Sequence, residues 1–163
     1  MKKIRIVLVL FIIGLVLSGL TAFPLETELK IVAGLLPAPD ECALSAWIHR
    51  VRDALVETNA RYPFLAYGTD WLAFAHLVIA IAFIGPLRDP VRNIWVIQFG
   101  LIACVAVIPL ALIAGPIRGI PFGWRLIDCS FGVFGFIPLW FALRWARELE
   151  KESPQKTPYP PPR

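Results

Sequence analysis

Charged residues are scarce in this chain, and that scarcity excludes the commonest kinds of protein. Of its 163 residues, 17% are charged and 58% are hydrophobic, with a mean hydropathy of +0.69. Soluble domains typically carry about 25% charged and roughly 45–50% apolar residues. A chain this apolar is not intrinsically disordered, and it does not have the composition of an ordinary soluble enzyme. Its length limits it to a single domain, since domains typically take ~100–200 residues.

The residues that build metal, redox and haem sites are also few. There are three cysteines and two histidines, and no two cysteines have the Cys-x-x-Cys spacing of thiol oxidoreductases or zinc sites. His76 lies in an apolar run with no second histidine at comparable depth to complete a haem site. A phosphate loop, a nucleophile elbow and a nucleic-acid-binding stripe are all missing. We therefore predict no catalytic residue, metal, cofactor or nucleic-acid partner.

What the sequence does contain is four long apolar runs. They cover residues 6–23, 71–85, 94–117 and 127–143. A spanning helix needs ~20 apolar residues and satisfies its own backbone, so each run predicts a transmembrane helix. The second run starts as early as Phe64 if Asp70 lies among the headgroups, and Pro109 and Pro138 predict kinks in the third and fourth. The predicted fold class is all-α, a polytopic four-helix transmembrane bundle forming a single domain over residues 1–153.

The first run also has features of a secretory signal, because a basic start precedes it. Cleavage after Ala22 would place Leu20 where a small residue is preferred. The uncharged run of 18 residues is longer than the ~7–15 of a typical signal. These features favour a retained anchor, with a cleaved signal as the open alternative.

The distribution of positive charge predicts the orientation. Ten of the 16 Lys and Arg residues fall on the side that holds both termini, which marks that side as cytoplasmic. Tryptophans prefer the membrane–water interface, and Trp71 and Trp124 lie at the outer ends of runs while Trp95 and Trp140 lie at inner ends. We predict a multi-pass protein of a bacterial plasma membrane with cytoplasmic N- and C-termini.

An amphipathic helix is predicted over about residues 40–60, in the outer segment between the first two runs. It starts at Pro39-Asp40-Glu41, where acidic residues face the positive end of the helix. Its apolar positions recur with the spacing of one helical face and are Leu44, Trp47, Ile48, Val51 and Leu55. Three roles remain open: lying in the outer interface, capping the bundle, or receiving another subunit.

The C-terminal segment, residues 154–163, is rich in proline and predicts a disordered cytoplasmic tail. Elsewhere, Cys42 and Cys129 fall on the same predicted outer side. A disulfide between them is permitted by topology and is left open.

A cluster of polar residues at the predicted outer ends of two runs is the candidate site. Asp70, Arg118, Arg125 and Asp128 balance in charge, and Arg125 and Asp128 are three residues apart on one helix. The simpler interpretation is a clasp that sets the register of two helices. The functional one is an outward-facing pocket whose arginines bind an anionic group. His76, inside a run, is either part of this site or a neutral imidazole bonded to a neighbouring helix.

The function predicted from these features is an accessory or interaction subunit of a membrane assembly, rather than an enzyme. Its expected partners are the lipid bilayer and either another membrane protein or a second copy of the chain. The alternative is a membrane enzyme or carrier acting on a lipid-like or quinone-like molecule at the outer Asp/Arg cluster.

Overall fold

The computed structural model describes residues 1–152, and every regular element in that part of the chain is helical. The α-helices are α1 (Lys2–Ala22), α2 (Leu25–Leu35), α3 (Ala43–Arg61), α4 (Ala66–Ala82), α5 (Ile84–Arg88), α6 (Ile94–Ile117) and α7 (Phe122–Glu152). A 3-10 turn, Pro63–Leu65, leads into α4. The all-α fold class is confirmed for this range, whereas the predicted tail over 154–163 lies outside it.

Four helical stretches are long and apolar enough to cross a membrane. They are Lys2–Ala22, Pro63–Arg88, Ile94–Ile117 and Phe122–Glu152. Only 17% to 22% of their most apolar segments is buried within the described chain. Most of the apolar surface therefore faces outward, unlike the core-facing stripe of a helix in a water-soluble domain. Insertion into a membrane stays a prediction.

The second and fourth helical stretches extend beyond the apolar runs in the sequence. After α4, the chain continues helically through Gly85 and Pro86 in α5. Pro86 is tolerated because it lies in the first turn of α5, where a backbone N–H has no intrahelical partner. Helix α7 begins at Phe122 and continues through Pro138 without interruption to Glu152. The charged end of α7 carries an i,i+4 ion pair, with Arg144 Nε 3.2 Å from Glu148 Oε1.

The described chain forms two compact units, and the first comprises residues 1–11, 83–118 and those from 122 onward. Its core contains side chains that are at most 1% exposed, namely Ile4, Leu8, Phe83, Ile97 and Leu139. The rings of Phe11 and Phe83 pack with their centroids 4.7 Å apart.

Helices α6 and α7 approach one another closely at glycines of this unit. A Cβ added at Gly132 of α7 would collide with the carbonyl oxygen of Cys104 on α6. One added at Gly100 of α6 would meet the Phe83 ring at 2.6 Å and Leu139 at 2.7 Å. Small residues permit such backbone approach, which increases van der Waals contact between helices.

The second unit comprises residues 12–82 and 119–121. The C-terminal half of α1 lies against α4, since a Cβ at Gly19 would sit 2.9 Å from the carbonyl oxygen of the fully buried Ala73. Helices α2 and α3 form a hairpin in which Ser45 is fully buried and its hydroxyl donates to the carbonyl of Pro37. Ile48, on the apolar face of α3, is also buried.

Helix α3 starts slightly later than the acidic residues suggest. Its first residue is Ala43, and the sulfur of Cys42 caps it by accepting a hydrogen bond from the N–H of Ser45 at 3.4 Å. Glu41 instead accepts from the N–H of Ala38 in the preceding turn, at 3.3 Å.

A hydrogen bond between side chains joins α2 to α3. Glu26 Oε1 lies 2.6 Å from Lys30 Nζ, and the side-chain amide of Asn59 donates to Glu26 Oε2 at 2.6 Å. The hydrogen bonds from Lys30 and then Asn59 hold the pKa of Glu26 below its ordinary value of 4.5.

The close approach at Gly132 predicts a difference between two glycines of the same helix. Gly132→Ala should destabilise the α6–α7 pair by about 1–3 kcal/mol, because its methyl group enters occupied backbone space. Gly123, with nothing within 4 Å, provides the control. Gly123→Ala should change stability by no more than about 0.5 kcal/mol. Unfolding of the full chain in detergent measures both, and equal effects would contradict the packing described.

The lowered pKa of Glu26 predicts an acid-sensitive hairpin. A carboxyl whose pKa is lowered by folding stabilises the fold above its ordinary pKa, and that stabilisation is lost as pH falls through the lowered value. Hydrogen exchange of α2 and α3 amides, corrected for intrinsic rates, should therefore speed up below pH 4.5 relative to the rest of the chain. Glu26→Gln should remove this dependence. Its persistence in the variant would assign the effect to another group.

Candidate functional site

The five residues of the predicted site lie in different units. Asp70 and His76 lie on α4, in the second unit. Arg118 ends α6, whereas Arg125 and Asp128 lie in the first two turns of α7, all in the first unit.

Arg125 lies along α6 rather than projecting freely. A Cβ on Gly115 would collide with Cδ and Cγ of Arg125, so the missing side chain at Gly115 makes room for its aliphatic part. The guanidinium carbon sits 5.1 Å from the centre of the Phe122 ring, a cation–π distance. Arg125 therefore packs the end of α6 to the start of α7 with its stem.

The Nε of Arg125 is buried and has no hydrogen-bond partner among residues 1–152. A buried donor left unpaired costs roughly 1–3 kcal/mol. Arg125 thus combines favourable packing of its stem with an unsatisfied polar atom. Such an atom is either a structural cost or a donor kept for another molecule.

Asp128 does not neutralise Arg125 in the described residues. The ion pairs there are Lys30–Glu26, Arg52–Asp53 and Arg144–Glu148. Asp128 is half-buried, one turn along α7 from Arg125, and Arg118 is exposed at the end of α6. The spacing of three on α7 allows an ion pair but does not produce one here, because the stem of Arg125 is directed onto Gly115.

Gly119 reverses the chain after α6. Its φ is +69°, in the left-handed region that side-chain-bearing residues rarely occupy. Helix α6 ends at Ile117 with Arg118 as its C-cap, and α7 begins three residues beyond Gly119 at Phe122.

His76 makes its hydrogen bond within its own helix. Its Nδ1 lies 2.8 Å from the carbonyl oxygen of Leu72, and since a carbonyl only accepts, Nδ1 carries the proton. In the neutral imidazole Nε2 is then an acceptor. The Cβ atom of His76 lies next to Gly19 of α1, so His76 contacts a neighbouring helix through packing. Asp70, six residues earlier on α4, is half-buried.

The cysteines form no redox or metal centre in the described residues. Cys42, Cys104 and Cys129 are all free thiols, with Cys42 exposed. Within 1–152, no three His, Cys, Asp or Glu side chains are grouped so as to hold a metal ion.

Helix α1 has an open face that was not predicted from its sequence. Nothing lies within 4 Å of the position where a Cβ on Gly14 would be, and Ser18 is exposed one turn later. The four-residue spacing of Gly14, Ser18 and Ala22 is readable in the sequence as a small-residue repeat. What the sequence lacked was any sign that Gly14 is open while Gly19, on the same helix, is covered by α4.

Comparison with protein-family models, with curated proteins and with solved structures found no match. The fold and these residues therefore define the chain as an all-helical protein whose described part contains four helical stretches suited to spanning a membrane.

The unpaired Nε predicts how Arg125 variants behave. Arg125→Met keeps a long stem on Gly115 and removes the unsatisfied donor, so stability in detergent should stay constant or rise by about 1 kcal/mol. Arg125→Ala, which also removes the stem, should lose about 1 kcal/mol through lost packing. Thermal unfolding of the full chain distinguishes them. An equal loss in both would mean that the charge, rather than the stem, joins α6 to α7.

Proposed function

We propose that this protein is an accessory subunit of a membrane assembly, held to its partner through helix α1. It is a multi-pass protein of a bacterial plasma membrane with both termini in the cytoplasm. The observation that carries the proposal is the open small-residue face of α1, formed by Gly14 and Ser18.

Small residues distinguish a partner surface from a lipid surface. In a bilayer, exposed leucine and isoleucine side chains are covered by lipid tails as well as by protein, so their exposure selects neither. A glycine one turn from a serine leaves a shallow groove that a second helix fills closely, gaining van der Waals contact. The other α1 glycine, Gly19, is already used in this way against Ala73 of α4. Gly14 offers the same surface without an occupant among the described residues.

The membrane setting is supported by where the aromatic and charged residues lie. Trp95 is 64% exposed at the start of α6, as expected of an indole at an interface. The basic residues of the same predicted side include Lys2, Lys3 and Arg5 at the start of α1 and Arg147 and Lys151 at the end of α7. These positions agree with a cytoplasmic N-terminus and a cytoplasmic end of α7.

The α2–α3 hairpin lies on the outer side in this arrangement. Its amphipathic helix α3 uses part of its apolar face against α2, since Ser45 and Ile48 are buried and the Glu26–Asn59 bond joins the two helices. The hairpin is therefore proposed as a braced outer element, and the partner contact is assigned to α1.

The test is site-specific photo-crosslinking in intact membranes. A photoreactive amino acid at Ser18 should give one adduct of defined mass, because a close helix lies within reach of that position. Gly14→Leu should reduce the adduct roughly tenfold, since filling the groove removes contact worth about 1–2 kcal/mol. Ile13→Phe is the matched control, because it adds bulk at an exposed neighbouring position on α1 and should leave the adduct unchanged.

The crosslinked mass identifies the type of partner. An adduct of twice the chain mass means a second copy, and any other discrete mass means a different membrane protein. Adducts with lipid only, or equal loss in both variants, would overturn the proposal.

A second candidate function is a membrane enzyme or carrier acting on a lipid-like or quinone-like molecule. The observation in its favour is the buried Nε of Arg125, a donor without a partner in residues 1–152. Arg125→Met separates the two functions. A folded variant that loses the cellular phenotype of the native protein while keeping the Ser18 adduct supports the enzyme or carrier function.

A further inference from the structure

The turn that joins α5 to α6 is held rigidly by its own side chains. Asn93 Nδ2 donates to the carbonyl oxygens of Gly85 at 3.2 Å and Asp89 at 2.9 Å. Asp89 Oδ1 accepts from the N–H of Arg92 at 3.0 Å. Pro90, between them, is buried. These hydrogen bonds define the backbone conformation of the turn next to Arg88 and Arg92.

This turn forms one wall of a cleft of about 660 Å³. Arg88 and Arg92 line it from the turn. Met1, the residue before α1, and Leu149 of α7 contribute apolar side chains. All of these residues belong to the first unit. The cleft thus presents two guanidinium groups next to an apolar wall.

The charge of the cleft is not neutralised by its own acid. Asp89, which also lines it, uses Oδ1 to accept from the backbone of the turn. Arg88 and Arg92 are exposed, and neither takes part in an ion pair within residues 1–152. Two arginines against one carboxylate leave the cleft positive. Guanidinium groups bind phosphate oxygens in a bidentate manner, so a phosphate group is the ligand that this surface fits.

The position of the cleft, at the N-terminal end of α6, indicates which phosphate-containing molecule it binds. Helix α6 begins at Ile94, directly after the turn, and the exposed Trp95 follows. If α6 spans the membrane, as proposed above, its first residues lie at the interface and the cleft lies among the headgroups. Positive residues at the cytoplasmic surface attract anionic lipids, by a factor of about fivefold for each arginine.

We propose that Arg88 and Arg92 form a binding site for the phosphate of an anionic phospholipid in the cytoplasmic leaflet. The headgroup phosphate contacts the two guanidinium groups, and the upper part of the acyl chains lies along the apolar wall. This inference rests on the proposed membrane insertion and is independent of the partner assigned to α1.

The experiment reconstitutes the full chain in vesicles and measures the association of spin-labelled phosphatidylglycerol relative to spin-labelled phosphatidylcholine. The native chain should prefer phosphatidylglycerol, and Arg88→Gln with Arg92→Gln should reduce the preference by at least about fivefold. Arg147→Gln with Lys151→Gln is the matched control. It removes the same charge from the same predicted side, at the end of α7, and should reduce the preference less, because Arg88 and Arg92 stay in the cleft.

The outcomes separate this inference from the proposed function. A chain that fails to co-float with phosphatidylcholine vesicles contradicts the membrane insertion itself. A chain that inserts without lipid preference, or loses it equally in both double variants, contradicts only the site at Arg88 and Arg92. If excess inorganic phosphate abolishes the preference and sodium chloride at the same ionic strength does not, the cleft takes a soluble phosphate and the lipid assignment is overturned.

Discussion

The close packing of α6 on α7 is the interaction on which the rest of the first unit depends. In the proposed membrane setting, two apolar helices gain little free energy from burying leucine, because the lipid around them is equally apolar. Close approach of the two backbones then supplies the contact between them. Gly132 permits it by lying against the carbonyl of Cys104, and Gly100 permits it by accepting the Phe83 ring and Leu139. Van der Waals contact holds the helix pair together, and the arginines discussed here lie at its two ends.

The arginines at the two ends of α6 have different surroundings. At the C-terminal end, Gly115 makes room for the stem of Arg125, whose Nε stays unpaired. At the N-terminal end, Asn93 braces a turn that carries Arg88 and Arg92 with no carboxylate partner in the described chain. The first arrangement uses an arginine mainly for packing, and the second leaves two arginines available to an anion. The same residue type therefore has opposite roles at the two ends.

The proposed accessory role rests on a packing surface rather than on a reactive group. That surface is the open glycine face of α1, which carries no reactive side chain at Gly14. His76 donates its Nδ1 proton to the carbonyl oxygen of Leu72 on its own helix. A surface built from small residues at helical spacing is suited to recognising another helix.

The sequence by itself determined the all-α class and the approximate positions of the long helices, because apolar runs of this length have few alternatives to helix. It also located the amphipathic helix, because a period of 3.6 residues is local. It did not reveal that Gly14 is open whereas Gly19 is covered, that Arg125 lies on Gly115 instead of pairing with Asp128, or that Asn59 joins Glu26. Those depend on which helices meet and at what register, and spacing along one helix carries no information about its neighbour.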